Sequence, residues 1–306
     1  MKLIDGHCDV LYKLWKKDID FYKDIDFLDV SFNKLKSFES LIQTFAIFVP
    51  PRIPKPFYEA LLQIDLFYQK IIKDNKFFSL ITTKEDLIKE KPKFKALLAL
   101  EGAHVIGENL EKLRILKYLG VLQVGLTWNN SNFLADGVME KRNAGLSNFG
   151  IQVIKEMQRL NMIVDVSHLS KQSFYDVLEF EIPIVASHSN CFAVCKHPRN
   201  LDDEQLKMLI DRNCLIGITF VPDFIKEKNP VIEDLIKHLE HICNLGGSKN
   251  IYFGSDFDGF DSKIKGLENA NSWFFLMEFL RKYYTLKDIR AWFFENAFNF
   301  YSTNLK

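Results

Sequence analysis

The sequence predicts a single-domain (β/α)8 barrel, an α/β fold of the TIM type occupying residues 1–306. Three observations predict it. Eight short apolar runs rich in β-branched residues are spread along the chain, and such runs suit strands buried on both faces of a parallel sheet. Amphipathic stretches follow them, giving the strand–helix alternation of this fold. Several runs end in a carboxylate or an imidazole, at the C-terminal strand ends where such a barrel gathers its functional groups.

The first strand is read from Leu3 to Asp9. Residues 10–39 are long for a strand-to-helix connection and are expected to form helical pieces beside the mouth of the barrel. The second strand, Leu41 to Val49, runs into Pro50-Pro51-Arg52-Ile53-Pro54-Lys55-Pro56, a stiff loop rather than a linker, because the alternation resumes at once. Phe57 to Asp74 carries Leu61, Leu62, Ile64 and Phe67 on a helical period. Ala96 to Glu101 and Val121 to Trp128 give the third and fourth strands, and Leu146 to Leu160 the next helix. Met162 to His168 is followed by a helix from Ser170 to Glu179, with Ser170 as its candidate cap. Ile184 to His188 precedes a helix over Asp202 to Asp211, whose acidic start suits the helix dipole. Leu215 to Phe220, a helix from Val231 to Leu245, and Ile251 to Asp256 complete the barrel, with two helical stretches beginning at Trp273 and Leu286.

Composition narrows the function. Lysine plus arginine and aspartate plus glutamate each number 40, so there is no excess positive charge to draw nucleic acid or an anionic membrane. No apolar segment approaches bilayer length, and neither a leader nor a lipid-anchor tail is recognisable, so a cytoplasmic location is expected. The five scattered cysteines form no Cys-x-x-Cys pair and are expected to be reduced, with Cys8 facing outward.

The strand ends carry the chemistry. In an extended strand His7 and Asp9 share a face. Val164, Val166 and His168 share another, and Ile184, Ala186 and His188 a third. If the small apolar residues point into the barrel, both histidines do too. Glu101 ends a buried strand, where a carboxylate is costly unless positive charge meets it. Asp256 ends the last strand. Three histidines and three carboxylates exceed what a single catalytic ion needs. They suit two metal ions sharing a bridging carboxylate, with one carboxylate left over as a base. Glu101 is read as the bridge, His7 and Asp9 as ligands of one ion, and His168 and His188 as ligands of the other.

Asp5-Gly6-His7-Cys8-Asp9, Leu100-Glu101-Gly102, Asp165-Val166-Ser167-His168, Ser187-His188-Ser189-Asn190, Pro198-Arg199-Asn200-Leu201-Asp202-Asp203 and Gly254-Ser255-Asp256-Phe257-Asp258-Gly259 together resemble the membrane (renal) dipeptidase family of the amidohydrolase superfamily. The resemblance runs in order from residue 5 to about residue 260. It implies a zinc-dependent dipeptidase with two zinc ions per subunit, held by His7, Asp9, Glu101, His168 and His188. Asp256 would be the acid/base serving a metal-bridged hydroxide, and Arg199 would bind the substrate's free carboxylate through its fork of donors. Small dipeptides, including those with a C-terminal D-residue, would be substrates, and the family suggests a homodimer. Trp128 and Asn129 are assigned to substrate binding. Trp128 stands where mammalian members carry a histidine, and an indole can only donate. Specificity or oxyanion support should therefore differ. Another small amide, a lactone or an acylated amino acid remains an alternative substrate on the same site, and a non-catalytic metal-binding barrel is the alternative from a different class.

Overall fold

The computed structural model describes residues 1–23, 26–73 and 76–306. Its strands are β1 (Lys2–Asp5), β2 (Ser40–Phe48), β3 (Phe78–Leu80), β4 (Phe94–Glu101), β5 (Val121–Gly125), β6 (Ile163–Asp165), β7 (Ile184–Ala186), β8 (Leu215–Ile218) and β9 (Ile251–Phe253). All pair in parallel in the order β2-β1-β9-β8-β7-β6-β5-β4, and a further β2–β4 pairing closes the ring into an eight-stranded barrel. The eight expected strands are those eight. The short β3 was not expected. It extends along the lower half of one edge of β4, with Phe78 opposite Phe94, while β5 takes the upper half from Leu98 onward.

Helices surround the sheet. Ser147, Ser170 and Asp202 cap the helices Asn148–Arg159, Lys171–Leu178 and Asp203–Asp211, each side chain accepting a backbone N–H of the first turn. The helix expected from Phe57 runs over Pro56–Leu66 and continues as a wider π turn over Phe67–Ile72; its expected end, Asp74, lies outside the described residues. A helix that the sequence reading omitted, Leu110–Tyr118, joins β4 to β5. Only Leu113 and Leu116 are buried along it, too narrow a stripe to stand out. Within the long connection after β1, Val10–Lys16 and Phe32–Leu35 are helical, as expected. Among the described residues no helix is long and apolar enough to cross a membrane.

Two hydrophobic clusters separate the inside of the barrel from its coat. Ile4, Ile42, Leu97, Leu122, Ile163, Val185, Leu215 and Tyr252 pack with one another and with the C-terminal helix Asn296–Asn304, which seals the floor with Ala297, Phe300 and Tyr301. Leu3, Val164, Val166, Ile184, Ala186 and Ile216 instead pack with the surrounding helices. This overturns the expected orientation of two strands. Val164, Val166, Ile184 and Ala186 face outward, and their neighbours Ile163 and Val185 face in. Cys8 lies in the outer cluster, as expected.

Candidate metal centre

The histidines reach the mouth even though the expected alternation fails, because the strand ladders stop before them. β6 ends at Asp165 and β9 at Phe253, and the chain then turns. His168 and Asp256 have φ of 69° and 62°, the left-handed region that non-glycine residues avoid. These turns, and not a strand period, aim both side chains. Such backbone costs of order 1–3 kcal/mol per residue and persists where the surroundings enforce it, characteristically at functional sites. Space is tight beside them: a Cβ on Gly259 would displace the carboxylates of Asp9 and Asp256.

The structure gathers His7, Asp9, Glu101, His168, His188 and Asp256 into one cluster, buried except for the partly exposed Asp256. Glu101 ends β4 at the centre of it, with its two carboxylate oxygens divided. Oε1 lies 2.8 Å from His168 Nε2 and 3.7 Å from His188 Nε2, while Oε2 lies 3.6 Å from His7 Nε2. His7 Nε2 is also 3.6 Å from Asp9 Oδ2 and 3.8 Å from Asp256 Oδ1. His168 Nε2 and His188 Nε2 approach to 2.8 Å.

These donors fit metal ions. Both ring nitrogens of His7 are buried without a hydrogen-bond partner, as is Asp9 Oδ1, and buried polar atoms are seldom left so. Donors around a tetrahedral zinc ion stand about 3.4 Å apart, close to the His7 separations. Among the described residues, two sets of donor atoms lie close enough together to hold an ion: His7 with Glu101 and His188, and His7 with Asp9 and Asp256.

Electrostatics divides the cluster. Burial, with Arg199 nearby, pushes His168 down to about 4, and burial with His7 nearby carries His188 well below the ordinary imidazole value. Both rings are therefore neutral, the form that binds metal. Burial also opposes a charge on His7, but Glu101 and Asp9 outweigh it and raise its pKa. Burial and the neighbouring Asp9 raise Asp256 well above the usual carboxylate range. Asp9 is raised by burial and Glu101. For Glu101 burial works against ionisation, yet His7 and His168 hold its pKa low. Carboxylates packed this closely can all be ionised together only with positive charge between them.

Asn129 is placed against a histidine: its Oδ1 lies 2.8 Å from His168 Nδ1. An amide oxygen only accepts, so this contact favours the tautomer with the proton on Nδ1, which leaves the Nε2 lone pair for a metal. Ser187 Oγ, which sequence reasoning missed, lies 2.6 Å from His188 Nδ1. Arg199 is buried. One of its Nη atoms donates to the His188 carbonyl at 3.1 Å, and its Nε has no partner. Burial lowers its pKa to about 10, and Asp256 opposes the shift. Arg199 and His168 line a cavity of about 180 Å³ with Val138, Leu169 and Phe192. The Trp128 ring stands 5.3 Å from that of Phe48 and 6.2 Å from that of His168.

A family model described as Membrane dipeptidase (Peptidase family M19) matches residues 1–303. An uncharacterised dipeptidase of Schizosaccharomyces pombe is 29% identical over 302 residues, 89% of this chain and 72% of the relative. Dipeptidase tcpJ of Claviceps purpurea is 34% identical over 184 residues, 58% of this chain and 43% of the relative. Among solved structures, a metallopeptidase from Rhodobacter sphaeroides liganded with a phosphinate mimic of the dipeptide L-Ala-D-Ala superposes with a TM-score of 0.91 at 23% identity, covering 100% of this chain and 99% of that one. The dipeptidase AC, also a metallopeptidase, gives 0.92 at 24%, with the same coverage.

Proposed function

The chain belongs to the membrane dipeptidase family, and from that membership we propose that it is a two-zinc dipeptidase whose ions are held by His7, Asp9, Glu101, His168 and His188. That it is a hydrolytic enzyme, a dipeptidase of this metallopeptidase family, follows from the match over residues 1–303. The observation that carries the finer reading is the division of Glu101: one oxygen faces His168 and His188, the other faces His7. A single ion would not need both.

Bound zinc supplies Lewis acidity and a water acidified towards neutrality. The chain's own groups do the rest. Asp256 Oδ1, beside His7, takes the proton of the attacking water and returns it to the departing amine. Arg199 is the substrate anchor. Its buried, unpartnered Nε is free to meet the terminal carboxylate of a dipeptide, and its Nη bond to His188 fixes the distance from that carboxylate to the centre. Asn129 holds the tautomer of His168, and Trp128 forms a wall of the substrate site. The L-Ala-D-Ala mimic in the Rhodobacter structure supports including C-terminal D-residues among the substrates.

The test is an assay of zinc-loaded protein against L-L and L-D dipeptides, their C-terminal amides, acylated amino acids and lactones, with metal content measured alongside. Two zinc ions per chain, activity abolished by chelation, and resistance of the amides are expected. One ion per chain would overturn the binuclear reading. Amides cleaved as fast as free dipeptides would overturn the anchor, and a preference for lactones or acylated amino acids would overturn the substrate class.

A further inference from the structure

The parallel ladder is interrupted at the mouth in two places, by the same device, and beyond the first the segments bridge again at Cys8 and Phe257. Asp5 is the last residue of β1 and stands opposite Phe253 of β9. Its Oδ1 accepts the backbone N–H of Ser255 at 2.8 Å and, more weakly, that of His7 at 3.4 Å, while Oδ2 accepts the Ser255 hydroxyl at 2.7 Å. Asp165 is the last residue of β6 and stands opposite Val185 of β7. Its Oδ1 accepts the N–H groups of Ser167 and Ser187, both at 3.0 Å, and Oδ2 accepts from Gln123 Nε2 at 3.2 Å. Each aspartate thus binds the amide two residues ahead of itself and the amide two residues ahead of its cross-strand partner. Those amides take a carboxylate oxygen where the regular ladder would offer a backbone carbonyl. Left buried and unpaired, each would cost about 1–3 kcal/mol. The two pairs of segments that follow carry the whole candidate centre except Glu101. His7, Asp9 and Asp256 follow the first junction, and His168 and His188 follow the second.

We propose that Asp5 and Asp165 are positioning residues, each setting the exit geometry of two ligand-bearing loops. Asp5 fixes the half of the centre built on His7 and Asp9, and Asp165 fixes the half built on His168 and His188. Their hydrogen-bond partners are neutral amides, a hydroxyl and a carboxamide, so what each carboxylate supplies is direction. The inference rests on the two-ion reading above.

The experiment measures stepwise zinc affinities of Asp5→Asn and Asp165→Asn by competition with a chelator, with anomalous diffraction showing which position empties. An asparagine keeps the size but turns one acceptor oxygen into a donor. Asp165→Asn should weaken the ion beside His168 and His188 by about 10–100-fold, the loss typical of groups that orient metal ligands, while the other ion binds as in the parent. Asp5→Asn should do the reverse. Both ions weakened alike in each variant, or melting temperatures lowered with both affinities unchanged, would overturn the proposal. If Asp165→Asn does not fold, Gln123→Met releases the Oδ2 tether alone and should show the same selectivity at smaller size; unchanged or evenly reduced affinities there would overturn it equally. A parent protein that binds fewer than two ions would instead defeat the two-ion reading.

Discussion

The floor and the mouth of the barrel are built on opposite principles. At the floor, Tyr301 and Phe300 of the last helix close over Ile4, Ile42, Leu97 and Leu215, and the Tyr301 hydroxyl stands 3.4 Å from Gln123 Oε1. Burial there is mostly of carbon, only the Tyr252 hydroxyl of the described cluster being left without a partner, and it lowers the free energy. At the mouth, burial is of charge. His7 has neither ring nitrogen hydrogen-bonded, and Asp256 is driven towards its protonated form. Left-handed backbone at His168, Asp256 and Asp258 adds strain. The difference teaches that stability and chemistry are separated along the barrel axis. The floor and the helical coat hold together a mouth that does not favour its own geometry, and metal bound there would recover part of that cost.

The sharpest test of this separation is Asp256→Asn. It should lower kcat by roughly 10²–10⁴-fold, the value of a lost acid/base, with both zinc ions retained. The melting temperature of the metal-free protein should not fall, because the change removes a buried group at odds with Asp9. Near-normal turnover would remove Asp256 from the proton path, and a large loss of stability would show that the mouth supports the fold after all.

The converse is Tyr301→Ala at the floor. Truncating so large a buried ring should cost about 3–5 kcal/mol, read as a lower denaturation midpoint. The turnover of the fraction still folded should be unchanged. A fall in kcat/KM in proportion to the stability loss would mean that the two ends are coupled.

Between these in place, and smaller in effect, is Asn129→Ala. It removes the acceptor that sets the His168 tautomer. Zinc should bind the His168 side about 10–100-fold more weakly, with the melting temperature of the metal-free protein little changed. Unaltered affinity would return Asn129 to substrate contact alone.

These tests also mark where the sequence could be read and where it could not. Barrel strands announce themselves because both faces are apolar, so β2, β4 and β5 stand out as continuous runs. Glu101, His168, His188 and Asp256 were legible because a polar group ending such a run is costly without a purpose. β3 and the helix Leu110–Tyr118 were not, the one being three residues long and the other burying only two leucines. The inward face of β6 was misread because the alternation was carried through Val166 to His168, whereas the ladder ends at Asp165 and a positive φ re-aims the histidine. Nothing in the residue type announces that turn. The role of Asn129 lay beyond the sequence for the same reason, since its partner arrives from another loop.

The smallest expected effect lies back at the floor, where a carboxylate is used as a fastener. The helix Lys84–Ile88 joins the floor through Leu87 and through the Lys84 N–H, which donates to the Lys306 carbonyl at 3.2 Å. Asp86 completes its capping box, accepting from the Thr82 and Thr83 N–H groups at 3.1 Å and from Lys89 Nζ at 3.0 Å. Partial burial opposes its charge, but Lys89, Thr82 and Thr83 outweigh that and hold it at about 2, against an ordinary 3.8. The folded value is the lower one, so the unfolded chain takes up the proton first as pH falls. The contribution is therefore complete above 3.8 and disappears as pH falls towards 2. Because its partner Lys89 is exposed and solvent screens the pair, the contribution should stay below about 1 kcal/mol. The melting temperature of the parent should exceed that of Asp86→Asn by a few degrees at most near neutrality, and the gap should close between pH 3.8 and about 2. Dipeptide turnover at neutral pH should be the same in both proteins. A gap that stays constant across that range would dissociate the cap from its charge, and a change in turnover would show that fastening the floor is felt at the mouth.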